Sequence, residues 1–435
     1  MKKIKSLVAL GAASLFVANP TWAAGTWAEA RSDAMGGTGV ASGSYGSGAL
    51  INPALLAKAQ EEDSFTVILP SVGAQITDKD NLQDQIDDIS DKVDNYEDVI
   101  DSLTLQQIIL NPTGSLNLLQ GAAGDLAGEL EDLRGKTAQA KAGAGISVSI
   151  PNNVLSLAFV TKAYAHGRVS SSIDQQDIDY LRGIENSNTV AAGVAIDAAT
   201  NGSDAITRNL NSTASGRAAI VSDYGVAMAK QFDLGGVPVS VGVTPKLQKT
   251  WLYNYTTSIY TYDSSDWNSS RYRNDDTGFN VDAGLAADFG ENWTVGLSGQ
   301  NLISRDIDTK DIRITNGRTG ETKSYKDTYQ ISPLVTAGAA WHNDLITLSA
   351  DGDLTETKGF KSEEDSQFVG VGAEIRPLSW FAVRAGYRAD VKGDDSNVFT
   401  GGVGFAPFNR VHIDLMGLYG EDETWGAGAQ LSMTF

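Results

Sequence analysis

The chain has 435 residues, 41% hydrophobic and 20% charged, and its 33 basic against 54 acidic side chains leave a formal charge of −21. That balance argues against nucleic-acid binding through a basic surface, because phosphate affinity rests on Lys and Arg. Zero cysteines exclude disulfides, thiol nucleophiles and thiolate metal sites, and three histidines (His166, His342, His412) are too few for a His-rich centre, so no cofactor is expected. Glycine stands at 46 against 10 prolines, which suits crowded sheet with many bends.

In chain order, Lys2, Lys3 and Lys5 form a basic start, Leu7 to Val17 an apolar stretch, and Thr21-Trp22-Ala23 a small-residue cleavage pattern. Residues 1–23 therefore read as a Sec-type export signal. Downstream there is no run of 18 apolar residues, which leaves an exported soluble protein or an inserted β-barrel. Residues 24–63 are dense in glycine and contain Ala30-Arg31-Ser32-Asp33-Ala34-Met35-Gly36-Gly37-Thr38-Gly39-Val40-Ala41 and Asn52-Pro53-Ala54. They predict a compact, turn-rich segment with its backbone close to a wall. A phosphate loop fits poorly, since no Lys-Ser/Thr follows the glycines.

From residue 64 onward a period of two dominates. In the last segment Trp425, Ala427, Ala429, Leu431, Met433 and Phe435 share one face, and Gly426, Gly428, Gln430, Ser432 and Thr434 the other. The same alternation predicts strands near 64–76, 142–150, 154–164, 217–232, 237–256, 278–289, 292–303, 329–341, 345–354, 367–376, 380–391, 397–406, 411–420 and 423–435. Their connections alternate long and short, and Trp293, Trp341 and Trp380 sit beside short turns, as an interfacial girdle requires. The fold class expected is all-β: a 14-stranded antiparallel transmembrane barrel in the outer membrane of a Gram-negative bacterium, contacting lipid over its outer face. The aromatic last residue, Phe435, resembles the signature by which the barrel-assembly machinery recognises a final strand.

Two long connections are not wall. Over 77–141, Leu82, Ile86, Ile89, Val93, Tyr96, Ile100 and Leu103 keep a 4-3 spacing, which predicts a helical hairpin with an a/d seam. Its second arm carries Leu116, Leu119, Ala123, Leu126, Leu130 and Leu133 after a turn at Asn111-Pro112-Thr113-Gly114. The first arm is acidic (Asp84, Asp87, Asp88, Asp91, Asp94, Glu97, Asp98, Asp101), read mainly as a solvated face, with no twelve-residue calcium loop. In this topology the hairpin projects outside the cell. With its seam used internally, little exposed apolar surface is expected. Residues 165–216 form a second long extracellular loop with partial helical spacing, including Ile178, Leu181 and Ile206.

On the inward faces of neighbouring strands lie Glu374, Arg376, Arg384, Arg388, Asp390, His412 and Asp414. They predict a polar lumen network, because opposite charges one strand apart pair; the same constellation could line a path for a polar solute. Catalysis is not expected. His412 and Asp414 are i, i+2 neighbours, His342 falls in a periplasmic turn, His166 at a loop base, and no Gly-x-Ser-x-Gly elbow is present.

The Arg31-x-x-Ala34-Met35-Gly36-Gly37-x-Gly39-Val40-Ala41 stretch and Asn52-Pro53-Ala54 resemble the start of the FadL/OmpP1 (TodX-like) outer-membrane transporters. Within that group the chain is most similar to the conjugal transfer TraF-like barrels, a likeness carried also by Ser64–Pro70, Gly296–Leu302, Arg384–Arg388 and Gly401–Phe405. The resemblance implies a lumen plug over 24–63 bearing Met35, Gly36, Gly37, Gly39, Asn52, Pro53 and Ala54, inside a barrel over 64–435. It implies a plugged channel for small hydrophobic molecules, with an apolar pocket between plug and wall. The alternative is a non-transporting barrel acting as a conjugation or secretion accessory, or a surface-binding scaffold with an envelope partner.

Overall fold

The computed structural model describes residues 29–59, 65–201, 210–261, 269–393, 395–407 and 410–435. The expected export signal and Ile206 lie outside them. Seven strands open the wall: β1 (Thr66–Thr77), β2 (Thr137–Ile150), β3 (Ser156–Ser172), β4 (Thr213–Leu234), β5 (Val237–Ser258), β6 (Arg273–Phe289) and β7 (Trp293–Gln300). Four short strands follow: β8 (Arg305–Asp308), β9 (Ile312–Thr315), β10 (Thr322–Tyr325) and β11 (Thr328–Ile331). The wall resumes with β12 (Leu334–His342), β13 (Ile346–Asp353), β14 (Phe368–Leu378), β15 (Phe381–Asp390), β16 (Val398–Phe405), β17 (Val411–Gly420) and β18 (Trp425–Thr434).

β1–β7 and β12–β18 close into a fourteen-strand antiparallel barrel, with β1 on β18 from Thr66↔Thr434 to Ile76↔Trp425. Closure removes the free edge that an open sheet would leave. The seam is tightened by Phe435, whose ring stacks on Phe65 at 4.5 Å while the two residues exchange backbone hydrogen bonds of 3.0 and 3.4 Å. Beside it, Pro70 shifts the register of β1 against both neighbours, because proline has no N–H to give the ladder.

Alternation sets the two faces. Phe159, Leu247, Val371, Phe399 and Tyr419 are exposed outward, while Gln248, Asn280 and Glu374 are fully buried inward. An apolar belt turned outward around a polar interior is stable against lipid and not against water. Trp293 and Trp380 stand exposed at the short-turn end, and Trp341 pairs with Trp293 across the β7–β12 ladder. The turn Gly235-Gly236 shows why these connections are short: both glycines take positive φ (68° and 86°), as a two-residue hairpin turn requires.

Several boundaries differ from expectation. The strand expected over 329–341 is two elements, broken at Ser332-Pro333: β11 belongs to a ribbon in which β8 pairs with β11 and β9 with β10, and β12 starts at Leu334. Residues 165–172 and 213–216 are wall rather than loop, so His166 lies within β3, and His342 ends β12 rather than sitting in a turn. β4 and β5 run 22 residues each, about twice what a membrane crossing takes, so their far halves rise beyond the lipid.

Five helices cluster at that long-loop end: α1 (Leu82–Ser102), α2 (Leu105–Leu110), α3 (Pro112–Asp132), α4 (Gln175–Asn186) and α5 (Asn188–Asn201). The predicted seams are buried in one core, with Ile86 and Leu116 at its margin and Ala138 of β2 and Val169 of β3 joining it. Asn111-Pro112-Thr113-Gly114 is not the turn. Asn111 caps α3 through the Gly114 N–H and Pro112 occupies its first position, where proline's fixed φ and missing N–H cost nothing. The chain reverses at Leu103-Thr104, and Thr104 with Gln107 forms a capping box for α2.

Candidate functional site

Residues 29–59 run through the barrel interior, touching walls on opposite sides. Glu29 caps the helical turn Ala30–Asp33, accepting from the Ser32 N–H at 2.8 Å, while the Ala30 N–H donates to Ser71 of β1 and Gln430 of β18. Gly36 takes φ 72° and donates to Thr400 Oγ1 of β16 at 2.8 Å. Gly39 and Val40 donate to Asp351 of β13 at 2.7 and 2.9 Å. Asn52, fully buried, donates to the carbonyls of Val40 and Leu285, and its side-chain oxygen accepts from Ala54 N–H at the start of the 3-10 helix Pro53–Lys58. Lys58 closes the run on Asp288 of β6 at 2.5 Å.

Wall glycines receive this backbone. A Cβ on Gly372 would collide with the Met35 carbonyl, and one on Gly284 with Asn52 Oδ1. Met35, Gly36, Gly37, Gly39, Asn52, Pro53 and Ala54 are thus brought into one seated segment, with Ala54 packed on Ala286.

The seven lumen residues divide into two groups. Glu374 collects three guanidinium groups: Arg31 at 2.9 Å, Arg384 at 2.6 Å and Arg376 at 2.8 Å. Arg384 also holds Asp414 at 2.6 Å, and His412 shares that face, half-buried. Arg388 instead reaches Gln75 at 3.0 Å and lies over the Phe368 ring, and Asp390 accepts the backbone N–H groups of Gln367 and Asp395. Arg31 was not assigned to this network from the sequence, because its partner lies 343 positions away.

A second buried network lies on β3–β6. Lys246 binds Asp223 at 2.7 Å and Asp282 at 2.8 Å, and Lys162 reaches Gln300 at 2.8 Å. The available signal was a set of charges falling on the inward positions of β3–β6.

The long-loop end is covered from inside. Ile307, Tyr329 and Ile331 of the ribbon and Phe360 of the β13–β14 connection pack on Ala219, Val221 and Leu252, with Tyr329 and Phe360 edge to face at 5.1 Å. The ribbon tip reaches α4 through Arg318 and the fully buried Asp177, which also accepts from the Tyr260 hydroxyl at 3.0 Å. Burial beside that carboxylate raises the Tyr260 phenol well above its ordinary value.

Between the N-terminal segment and this cover lies a cavity of about 440 Å³. Tyr164, Ile331, Leu334 and Phe368 contribute apolar surface, but so do Lys141, Lys162, Arg168, Asp351, Glu363 and Arg388 contribute charge. The pocket, expected to be apolar, has a mixed lining of apolar and charged side chains.

With this geometry in hand, the barrel can be set beside known structures. The Ralstonia pickettii toluene transporter TbuX is 13% identical, with a TM-score of 0.52 over 94% of this chain and 98% of that one. The monoaromatic hydrocarbon channel CymD is 12% identical, with a TM-score of 0.51 over 94% and 96% of the two chains. The deltaS2S3 mutant of the TodX monoaromatic hydrocarbon channel is 12% identical, with a TM-score of 0.51 over 95% and 98%. At such identities the likeness shows a common barrel fold. No curated protein sequence matches the chain significantly. The family model described as the F plasmid transfer operon TraF protein matches residues 49–353, most of the chain, and this protein belongs to that family.

Proposed function

We propose that the protein is a plugged channel of a Gram-negative outer membrane, passing a small molecule through the lumen chamber. The observation that carries this reading is the cavity of about 440 Å³ between residues 29–59 and the ribbon cover. A packed, purely structural barrel would fill that volume with side chains. The fold shared with a toluene transporter and a monoaromatic hydrocarbon channel supports a transport role. The charged lining points to a solute with polar groups rather than to a hydrocarbon. The N-terminal segment acts as the plug, and the Arg31–Glu374 pair ties it to the wall. The outward apolar belt, an export signal and Phe435 at the seam support assembly into the outer membrane, with α1–α5 on the outer side.

Flux of a small dye-linked or radiolabelled solute into proteoliposomes tests this. Arg31→Ala, which loosens the plug at one wall contact while Arg384 and Arg376 still satisfy Glu374, is expected to raise flux with the barrel still heat-modifiable. Unchanged flux both in Arg31→Ala and after removal of residues 29–58 would sink the channel.

One observation favours a second role as a surface scaffold. The helical apex leaves Leu105, Ile109, Leu110 and Leu118 exposed, Ile109 by 77%, against the expectation of little exposed apolar surface. Ser102 to Gly124 contains no charged residue, and charge depletion around large apolar groups marks the centres of interfaces. Ile109→Ser with Leu110→Ser is expected to leave helix content intact and to abolish any envelope-partner cross-link made from this apex.

A further inference from the structure

The chain carries a surplus of 21 negative charges, yet one row of its inner wall holds two arginines side by side. Arg168 of β3 stands directly opposite Arg217 of β4, with Gln139 of β2 and Asn254 of β5 completing the row. Like charges directly opposed across a ladder destabilise a sheet, so an unrelieved pair here opposes folding. Arg217 is partly compensated by Asp327 at 3.2 Å and by Ser362 at 2.5 Å, but its Nε is buried without a hydrogen-bond partner. Arg168 makes no hydrogen bond or ion pair with any described residue, and its side chain lines the chamber. The nearby carboxylate Glu363 is already turned toward His166, at 3.4 Å.

We propose that Arg168 and Arg217 form an oxyanion site at the chamber wall, taking the carboxylate or phosphate group of a small hydrophilic solute. A guanidinium presents a planar fork of donors matched to two oxygens of either group. An oxyanion held by Arg168 at the chamber, with Arg217 beside it in the row, turns the repulsion of the two cations into attraction. The neighbouring Gln139 amide offers a further donor in the same row. This inference rests on the reading of the chamber as a solute site and names the chemistry of what that site holds.

The test is calorimetric titration of the full chain in neutral detergent with citrate and, separately, glucose 6-phosphate, at ionic strength matched with sodium chloride and with sorbitol as the uncharged control. Saturable binding of at least one anion is expected, weakened tenfold or more by Arg168→Gln and weakened less by Arg168→Lys. Citrate alone binding identifies the carboxylate, and glucose 6-phosphate alone the phosphate. Without anion, Arg168→Gln is expected to melt no lower than the parent, since it removes a like-charge neighbour. No saturable binding by the parent, equal affinity in Arg168→Gln, or a lower anion-free melting point in that variant would each overturn the site. Binding here is read without flux. Anion binding in a protein that fails the proteoliposome assay leaves the site standing and removes the channel, and flux without binding does the reverse.

Discussion

Glu374 shows how much one inward side chain organises. It is fully buried, and Arg31 and Arg384 bring their charge to it from the N-terminal segment and from β15. Removing the carboxylate would leave Arg31 without its ion-pair partner and Arg384 with Asp414 alone, a loss of roughly 3–5 kcal/mol for buried pairs of this kind. At the rim the same chemistry works in water. Glu356, on the β13–β14 connection, sits against Lys392 and Lys358 and is pushed down to about 2 by hydrogen bonds from them. A carboxylate held below its ordinary value favours the folded contact above that ordinary value, and the contribution is lost as pH falls through the depressed one. The tie between residues 354–367 and 391–397 is therefore expected to hold from neutral pH to about pH 4 and to loosen toward pH 2. A fluorophore pair across the two loops would show this, and separation that does not change between pH 5 and 2, or that opens on raising the pH, contradicts it. At this scale the sequence was partly readable. Glu374, Arg384 and Asp414 declared themselves by alternation, because Glu374 and Arg384 face inward on adjoining strands and Asp414 faces inward two strands beyond Arg384. Arg31 and the Lys246–Asp223 pair did not, since nothing local states which distant charge a buried one meets.

Strands and helices separated cleanly by period, for a physical reason. Wall positions see lipid and lumen in strict alternation, while α1 and α3 see a partner helix every three or four residues. The ribbon escaped because β8–β11 are four residues each, so that pairs such as Ile312/Ile314 and Tyr329/Ile331 are too short to register as an alternating stripe, and because the short step at Pro333 joined β11 to β12 in one pattern. The reversal at Leu103-Thr104 was hidden for a different reason: Pro112 reads equally as a turn former and as a first helical residue, and only the capping hydrogen bond of Asn111 decides. The helices form a core of their own around Leu119, Leu126 and Leu130, none of them exposed. Leu126→Ala is expected to cost the helical cluster roughly 2–5 kcal/mol. Since only Ala138 and Val169 of the barrel wall enter that core, the loss should stay local. Limited proteolysis would find faster cleavage within residues 82–132 and an unchanged heat-modifiable barrel; a barrel that unfolds at lower temperature would show the two layers to be one cooperative unit.

For the whole molecule, stability hangs on closing the cylinder, because every other strand pairs with neighbours close in sequence whereas β1 meets β18 across more than 350 positions. Bringing such distant strands together is the entropically costly step of this topology. The contacts that reward it are concentrated where the chain ends: Phe435 stacks on Phe65, their backbones exchange two hydrogen bonds, and Thr66 meets Thr434 side chain to side chain at 3.0 Å. The residues 29–59 make the same bridge from inside, since Ala30 holds Ser71 of β1 and Gln430 of β18 at once. Closure and the seating of residues 29–59 thus meet at one seam. Phe435→Ser removes the stacked ring but keeps the backbone exchange, so the barrel should still form, more slowly. In refolding from urea into detergent, the variant is expected to reach the heat-modifiable form several-fold later than the parent, with residues 29–59 protease-sensitive until it does. A Phe65→Ser variant should share the delay, because the stack needs both rings. Equal rates for the parent and both variants would place the slow step elsewhere, in the 22-residue β4–β5 hairpin or the helical insertion, and would separate the seating of residues 29–59 from closure.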